Sequence, residues 1–159
     1  MIEQILYNPI GIIHTPFKTT EGMPVQASRA KGITGTIEIK PEYIEGLKDL
    51  DGFSHIILLF HLHLSKGYSL QVIPFFDNQP RGVFATRAPK RPNSIGLSIV
   101  ALKKISANIL QIEDVDMLDG TPLLDIKPYT PEFDNRGNVQ TGWLAKAKNK
   151  KVKSDKRFI

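Results

Sequence analysis

Apolar residues in this chain recur in short, strand-length runs broken by turn residues, and only one stretch carries helical spacing. That pattern restricts the fold to architectures made of many short strands. Residues 32–39 read Gly-Ile-Thr-Gly-Thr-Ile-Glu-Ile, the alternation of a strand with one buried face. Residues 5–15 and 53–64 are longer apolar runs, and residues 68–74 and 81–85 are short strand candidates. Residues 97–105 and 109–118 flank Ser106-Ala107-Asn108, a hairpin turn. Residues 121–129 follow a second turn at Asp119-Gly120. One helix is expected over residues 41–50, where Tyr43, Ile44, Leu47 and Leu50 recur at helical spacing. Pro41 suits its first turn, and Gly46 weakens it. The period alone predicts a mainly β barrel or sandwich with a short helix attached.

Two nucleotide-binding architectures are excluded. Gly32 and Gly35 lead into a strand pattern, so they are not a dinucleotide fingerprint. Strands do not alternate with long helices, which removes a doubly wound sheet.

A chain of 159 residues with 41% hydrophobic content is one domain with a real core. It has no cysteine, so disulfides and thiolate metal sites are excluded. The first seven residues lack a basic region leading into an apolar stretch, and the longest apolar run spans residues 56–60. Neither a secretory signal nor a membrane span is expected, and the location expected is the cytoplasm.

The net charge of +5 is unevenly placed. Residues 146–157 carry six lysines, one arginine and one acid, Asp155. Residues 78–112 hold six basic side chains and no acid, while residues 113–134 hold seven acids and one lysine. A basic stretch and a basic tail favour a polyanionic partner such as nucleic acid. The expected division is a barrel over residues 1–143 and a flexible basic tail over residues 144–159.

The strongest motif is Thr86-Arg87-Ala88-Pro89-Lys90-Arg91-Pro92-Asn93-Ser94-Ile95-Gly96-Leu97-Ser98. Its prolines deny a helix and stiffen an extended loop that holds three cations at fixed spacing. A stiff loop loses less entropy on binding, and guanidinium groups take carboxylate or phosphate bidentately. In the next motif, a strand over residues 121–129 puts Asp125, Lys127 and Tyr129 on one face, with Leu124 and Ile126 on the other. Gln26, in a loop reading Pro24-Val25-Gln26-Ala27-Ser28-Arg29, can both donate and accept. His61 and His63 share a strand face, but no third ligand accompanies them, so no metal is expected.

Taken together these segments resemble the TrmO (TsaA-like) family of tRNA methyltransferases. Residues 24–29, 50–55, 87–98, 118–122 and 125–129 carry the resemblance, in the family's order, across about residues 7–143. It implies an antiparallel β-barrel that dimerises, S-adenosylmethionine as methyl donor, and tRNA as partner. The implied acceptor is N6 of threonylcarbamoyladenosine beside the anticodon. Gln26, His61, Arg87, Leu97, Leu118, Asp119, Gly120 and Thr121 are the implied donor pocket, with Arg87 on the methionine carboxylate. Arg29, Lys90 and Arg91 are expected to face the acceptor carboxylate and RNA phosphates. Asp125 or Tyr129 is the candidate proton acceptor, on strand-face geometry alone.

Three positions depart from the family pattern. Ser94 stands where proline is usual, His61-Leu62-His63 replaces a histidine–arginine pair, and no counterpart of the extra C-terminal domain of longer bacterial members follows. The basic tail is expected to take over part of RNA binding. Two other readings remain open on the residues: a non-catalytic RNA-binding barrel and a methyltransferase for a small molecule.

Overall fold

The isoleucines of residues 34–39 do fall on one face of a strand, and the same alternation repeats around a closed sheet. A computed structural model describes residues 3–147 and 153–158. Its strands are β1 (Gly11–His14), β2 (Thr34–Ile39), β3 (His55–His61), β4 (Gln71–Val72), β5 (Arg81–Gly82), β6 (Ile95–Ser106), β7 (Ile109–Glu113) and β8 (Thr121–Pro128). Six of them form an antiparallel barrel in the order β1-β2-β7-β6-β3-β8, closed by β8 on β1. Closure leaves this sheet no free edge. β4 and β5 make a separate two-stranded ribbon.

Period two fills the barrel. Ile13, Ile37, Ile39, Ile56, Leu58, Val100, Leu110, Ile112 and Leu123 are fully buried and form its core. Each such side chain contributes about 1.5–3 kcal/mol on burial. β6 and β7 join through Ala107 and Asn108, with Ser106 opposite Ile109 and Ala107 at φ 53°. A positive φ at the first of two turn residues matches the twist of a hairpin.

β8 carries a bulge that changes its faces. Leu59 pairs with Asp125, but Phe60 pairs with Leu123, leaving Leu124 without an opposite residue. Leu123 and Ile126 therefore share the core side. The expected partnership of Leu124 with Ile126 is corrected, because one extra residue reverses the alternation.

The expected helix over residues 41–50 is also corrected. Pro41–Leu47 is a 3-10 segment, and a second 3-10 turn, Leu50–Gly52, follows Asp49 at φ 65°. Only Leu47 and Leu50 reach the core, while Tyr43 and Ile44 stay exposed. So short a segment with so little to bury does not sustain an α-helix. The short helix lies later, at α1 (Pro131–Asp134), where the Thr130 amide donates to Asp134 Oδ2 at 2.9 Å. No helix among the described residues is long and apolar enough to cross a membrane.

Candidate active site

The barrel opens where β3 ends and β6 begins. Gly96 faces Phe60 across these strands, and a Cβ there would run into the Phe60 ring. Phe60, Leu62, His63 and residues 95–98 line a cavity of about 340 Å3 at this end. Its other walls are residues 23–26, the proline-bracketed loop, the 116–121 turn, and Ser154, Asp155 and Phe158 near the C-terminus. A volume of this size is within the small-molecule range.

The cationic loop is rigid, as its prolines predict. Arg91 Nη1 donates to the carbonyls of Val83 (3.1 Å), Thr86 (2.9 Å) and Ala88 (3.4 Å). Ser65 Oγ adds a bond to the Pro89 carbonyl at 3.0 Å. Arg91 thus turns its guanidinium into its own loop. Arg87 points the other way, into the cavity wall, and its Nη1 donates to Gln26 Oε1 at 2.8 Å. Lys90 is half-buried and Arg29 is exposed.

Two acids line the cavity: Asp155, paired with Arg157 at 3.1 Å, and the half-buried Asp116. Burial pushes its carboxyl up to about 6. The Ser98 hydroxyl (2.5 Å), its own amide, the Ala27 amide and the charge of Arg87 oppose that rise. The cavity therefore places one guanidinium and one carboxyl near each other among apolar walls. That arrangement can hold a zwitterion such as an amino-acid group.

Five of the eight expected donor residues line this cavity: Gln26, Arg87, Leu97, Leu118 and Thr121. Thr121 Oγ1 donates to the Leu118 carbonyl at 2.7 Å and closes the turn through Gly120, at φ 76°. His61, Asp119 and Gly120 are not in its lining. His61 ends β3 on the exposed side, and His63 bends into the cavity in its place, 3.5 Å from Thr121 Oγ1. Burial, then the neighbouring His61, pushes the His63 imidazole below its usual value. The strand pattern that put both histidines on one face stops at His61. Asp119 turns toward β1, pairing with Lys18 Nζ, accepting from the Thr15 amide at 3.1 Å and lying 3.4 Å from His14 Nδ1. The Lys18 bond, then the Thr15 amide, holds its carboxyl below the usual range.

Asp125 and Tyr129 lie away from the cavity lining. Asp125 pairs with Lys127 at 2.8 Å, and Tyr129 donates to Asn135 Oδ1 at 3.0 Å. Asp116, one of the two acids lining the cavity, is not marked locally. It differs from Asp114 only through Ser98, Ala27 and Arg87, which the fold brings to it.

The tail also departs from a free chain in its described part. Lys153 bridges to Pro24, the Ser154 amide donates to the Met23 carbonyl at 2.7 Å, and Phe158 meets Phe75 edge-on at 5.1 Å. Residues 148–152 and 159 of the expected tail lie outside the described residues.

Residues 12–135 match the family described as the tRNA-methyltransferase O N-terminal domain. The chain belongs to this family. A probable S-adenosyl-L-methionine-binding protein of Pyrococcus abyssi is 58% identical over 157 residues, covering 98% of this chain and 85% of that one. A human tRNA (adenine(37)-N6)-methyltransferase is 35% identical over 144 residues, covering 85% of this chain and 32% of that one. The crystal structure of TrmO from Pseudomonas aeruginosa superposes with a TM-score of 0.74 at 38% identity, covering 87% of this chain and 62% of that one. The chain thus spans about a third of the human relative and just under two thirds of the bacterial structure. The family segment begins in β1, ends after α1 and contains the Gln26–Arg87 pair, Asp116 and the 118–121 turn.

Proposed function

We propose that this chain is an S-adenosylmethionine-dependent tRNA methyltransferase acting in the cytoplasm on N6 of threonylcarbamoyladenosine beside the anticodon. The observation that carries the reading is the cavity in which the bonded Gln26–Arg87 pair and the half-buried Asp116 meet the 118–121 turn. The relatives support it, one named as an S-adenosyl-L-methionine-binding protein and one as a tRNA (adenine(37)-N6)-methyltransferase.

The residues present fit the donor. Arg87, steadied by Gln26, would take the methionine carboxylate, and Asp116 would take the ammonium. Leu97, Leu118 and Met117 supply apolar surface for the rest. When bound, S-adenosylmethionine supplies a methyl group on a sulfonium that departs as a neutral thioether. The protein's task is to exclude water and hold the acceptor nitrogen in line with that methyl. The acceptor nitrogen forms the new N–C bond and loses its proton. Its ureido character makes that proton more acidic than an amino proton, so no strong base is required.

We propose a homodimer built on the outer face of β3 and β6. Ile57 lies beside Ile99 and Leu59 beside Leu97, with Ile95 nearby, forming an apolar row whose β6 members are exposed. Asp125 sits beside Leu59 on this face. A proton-accepting role for Asp125 or Tyr129 therefore requires a partner copy to present its cavity there. Arg29 and Lys90 are the proposed phosphate contacts, and tRNA affinity should fall steeply as salt rises.

Calorimetric titration with S-adenosylmethionine, followed by assays on tRNA with and without the threonylcarbamoyl group, tests the reading. Saturable donor binding and methylation only of the modified tRNA are expected. A folded chain that binds no donor overturns it.

A further inference from the structure

A second cavity shares a wall with the first. Gln26, Thr86 and Arg87 line both. The second has a volume of about 560 Å3; Phe75 belongs to the shared wall, and Phe76, Phe84 and Trp143 line the far side. In sequence these rings are scattered across 69 positions, and the basic stretch holds only Phe84 among them. The fold gathers them. Trp143 Nε1 donates to the Ala85 carbonyl at 2.8 Å, which pins the segment after α1 onto the turn that carries Phe84.

Arg87 is the charged side chain in the lining of this cleft, and Arg81, beside it, is paired with Asp77 at 2.6 Å. No acid is among its lining residues. The Arg81 guanidinium lies 5.5 Å from the Trp143 ring centre, and that of Arg91 lies 6.0 Å from the Phe84 ring. Phe84 is 74% exposed, so its ring contributes little to the core. Exposed rings beside arginines are the chemistry of single-strand nucleic-acid sites, where bases stack on aromatics and cations follow the backbone. A base in an RNA loop is already cheap to unstack.

We propose that this cleft holds the unstacked acceptor base of the RNA, with Phe84 and Trp143 as stacking surfaces and the reactive nitrogen reaching past the Gln26–Arg87 pair into the donor cavity. The proposal rests on the methyltransferase reading and adds the place of the acceptor to it.

Trp143 is the single tryptophan of the chain, so its emission reports on the cleft directly. The full chain is titrated with a stem-loop RNA carrying threonylcarbamoyladenosine beside the anticodon, and with the same RNA abasic at that position. Saturable quenching is expected with the intact RNA, and roughly tenfold weaker binding with little quenching for the abasic one. Phe84→Ala, a change at an exposed position, should weaken the intact RNA roughly tenfold and leave the abasic RNA unaffected. Equal affinity and quenching for both RNAs, or an indifferent Phe84→Ala chain, overturns the proposal. Calorimetry with S-adenosylmethionine on the same samples separates the two readings. A chain that binds no donor but still distinguishes the abasic RNA loses the enzyme reading and keeps the base site.

Discussion

Arg87 Nη1 donates to Gln26 Oε1 at 2.8 Å, joining two loops 61 residues apart in the chain. This bond fixes a guanidinium at the wall between two cavities, where it is exposed and free of any acid partner among the ion pairs described. A charge-assisted bond to a carboxylate is worth roughly 1.5–3 kcal/mol. Arg87→Ala should therefore weaken S-adenosylmethionine at least tenfold by calorimetry, with thermal stability almost unchanged. A variant that binds the donor as tightly as the parent removes Arg87 from the donor site.

Asp116 gives the account a pH signature. Its carboxyl moves from an ordinary 3.8 to about 6 in the fold, because burial outweighs the bonds from Ser98 and the amides. The folded chain thus holds this proton more tightly than the unfolded one. Its contribution is fully present below about pH 4 and is lost as pH rises through about 6. The displacement corresponds to roughly 3 kcal/mol. Asp116→Asn should stabilise the ligand-free chain relative to the parent more at about pH 8 than at about pH 4. The same change should weaken donor binding. Urea unfolding at both pH values measures the first effect, and a difference that does not vary with pH contradicts it.

Arg91 separates a structural cation from binding ones. Its guanidinium serves the carbonyls of Val83, Thr86 and Ala88; Val83 keeps the Thr86 amide and hydroxyl as donors, so Arg91→Ala takes the side-chain donor from Thr86 and Ala88. The expected loss is about 1–3 kcal/mol in denaturant unfolding. Arg91→Lys should recover little, because an ammonium lacks the planar fork. Full stability in Arg91→Ala returns this residue to the RNA-contact group.

Much of this was visible from residues alone, for a physical reason. Period-two burial writes itself into Thr34–Ile39 and His55–His61, and prolines at 89 and 92 announce a stiff loop wherever the fold puts it. The bulge at Leu124 left no such trace, since its cause is the pairing of Leu59 and Phe60 with a different strand. The 3-10 form of Pro41–Leu47 likewise depends on how little of it the barrel covers. Asp116 and the aromatic cleft are products of tertiary proximity, and neither has a local signature. Asp119 reads as a ligand residue from its turn, and only the fold shows that its carboxylate anchors Lys18 and Thr15, leaving the turn's backbone for a ligand.

The outer row on β3 and β6 predicts an association state. Ile99 is 38% exposed, pairs with Ile57 across the strands, and lies outside the donor cavity. Ile99→Asp should convert a dimer to a folded monomer in light scattering, since a charge within an apolar interface is strongly unfavourable. An unchanged mass places any interface elsewhere.

Methyl transfer itself is read by mass spectrometry of nucleosides from tRNA incubated with this chain and S-adenosylmethionine. The account predicts that threonylcarbamoyladenosine gains one methyl group and that the Arg87→Ala chain adds it far more slowly. Saturable donor binding with no methylated nucleoside in any tRNA would contradict it.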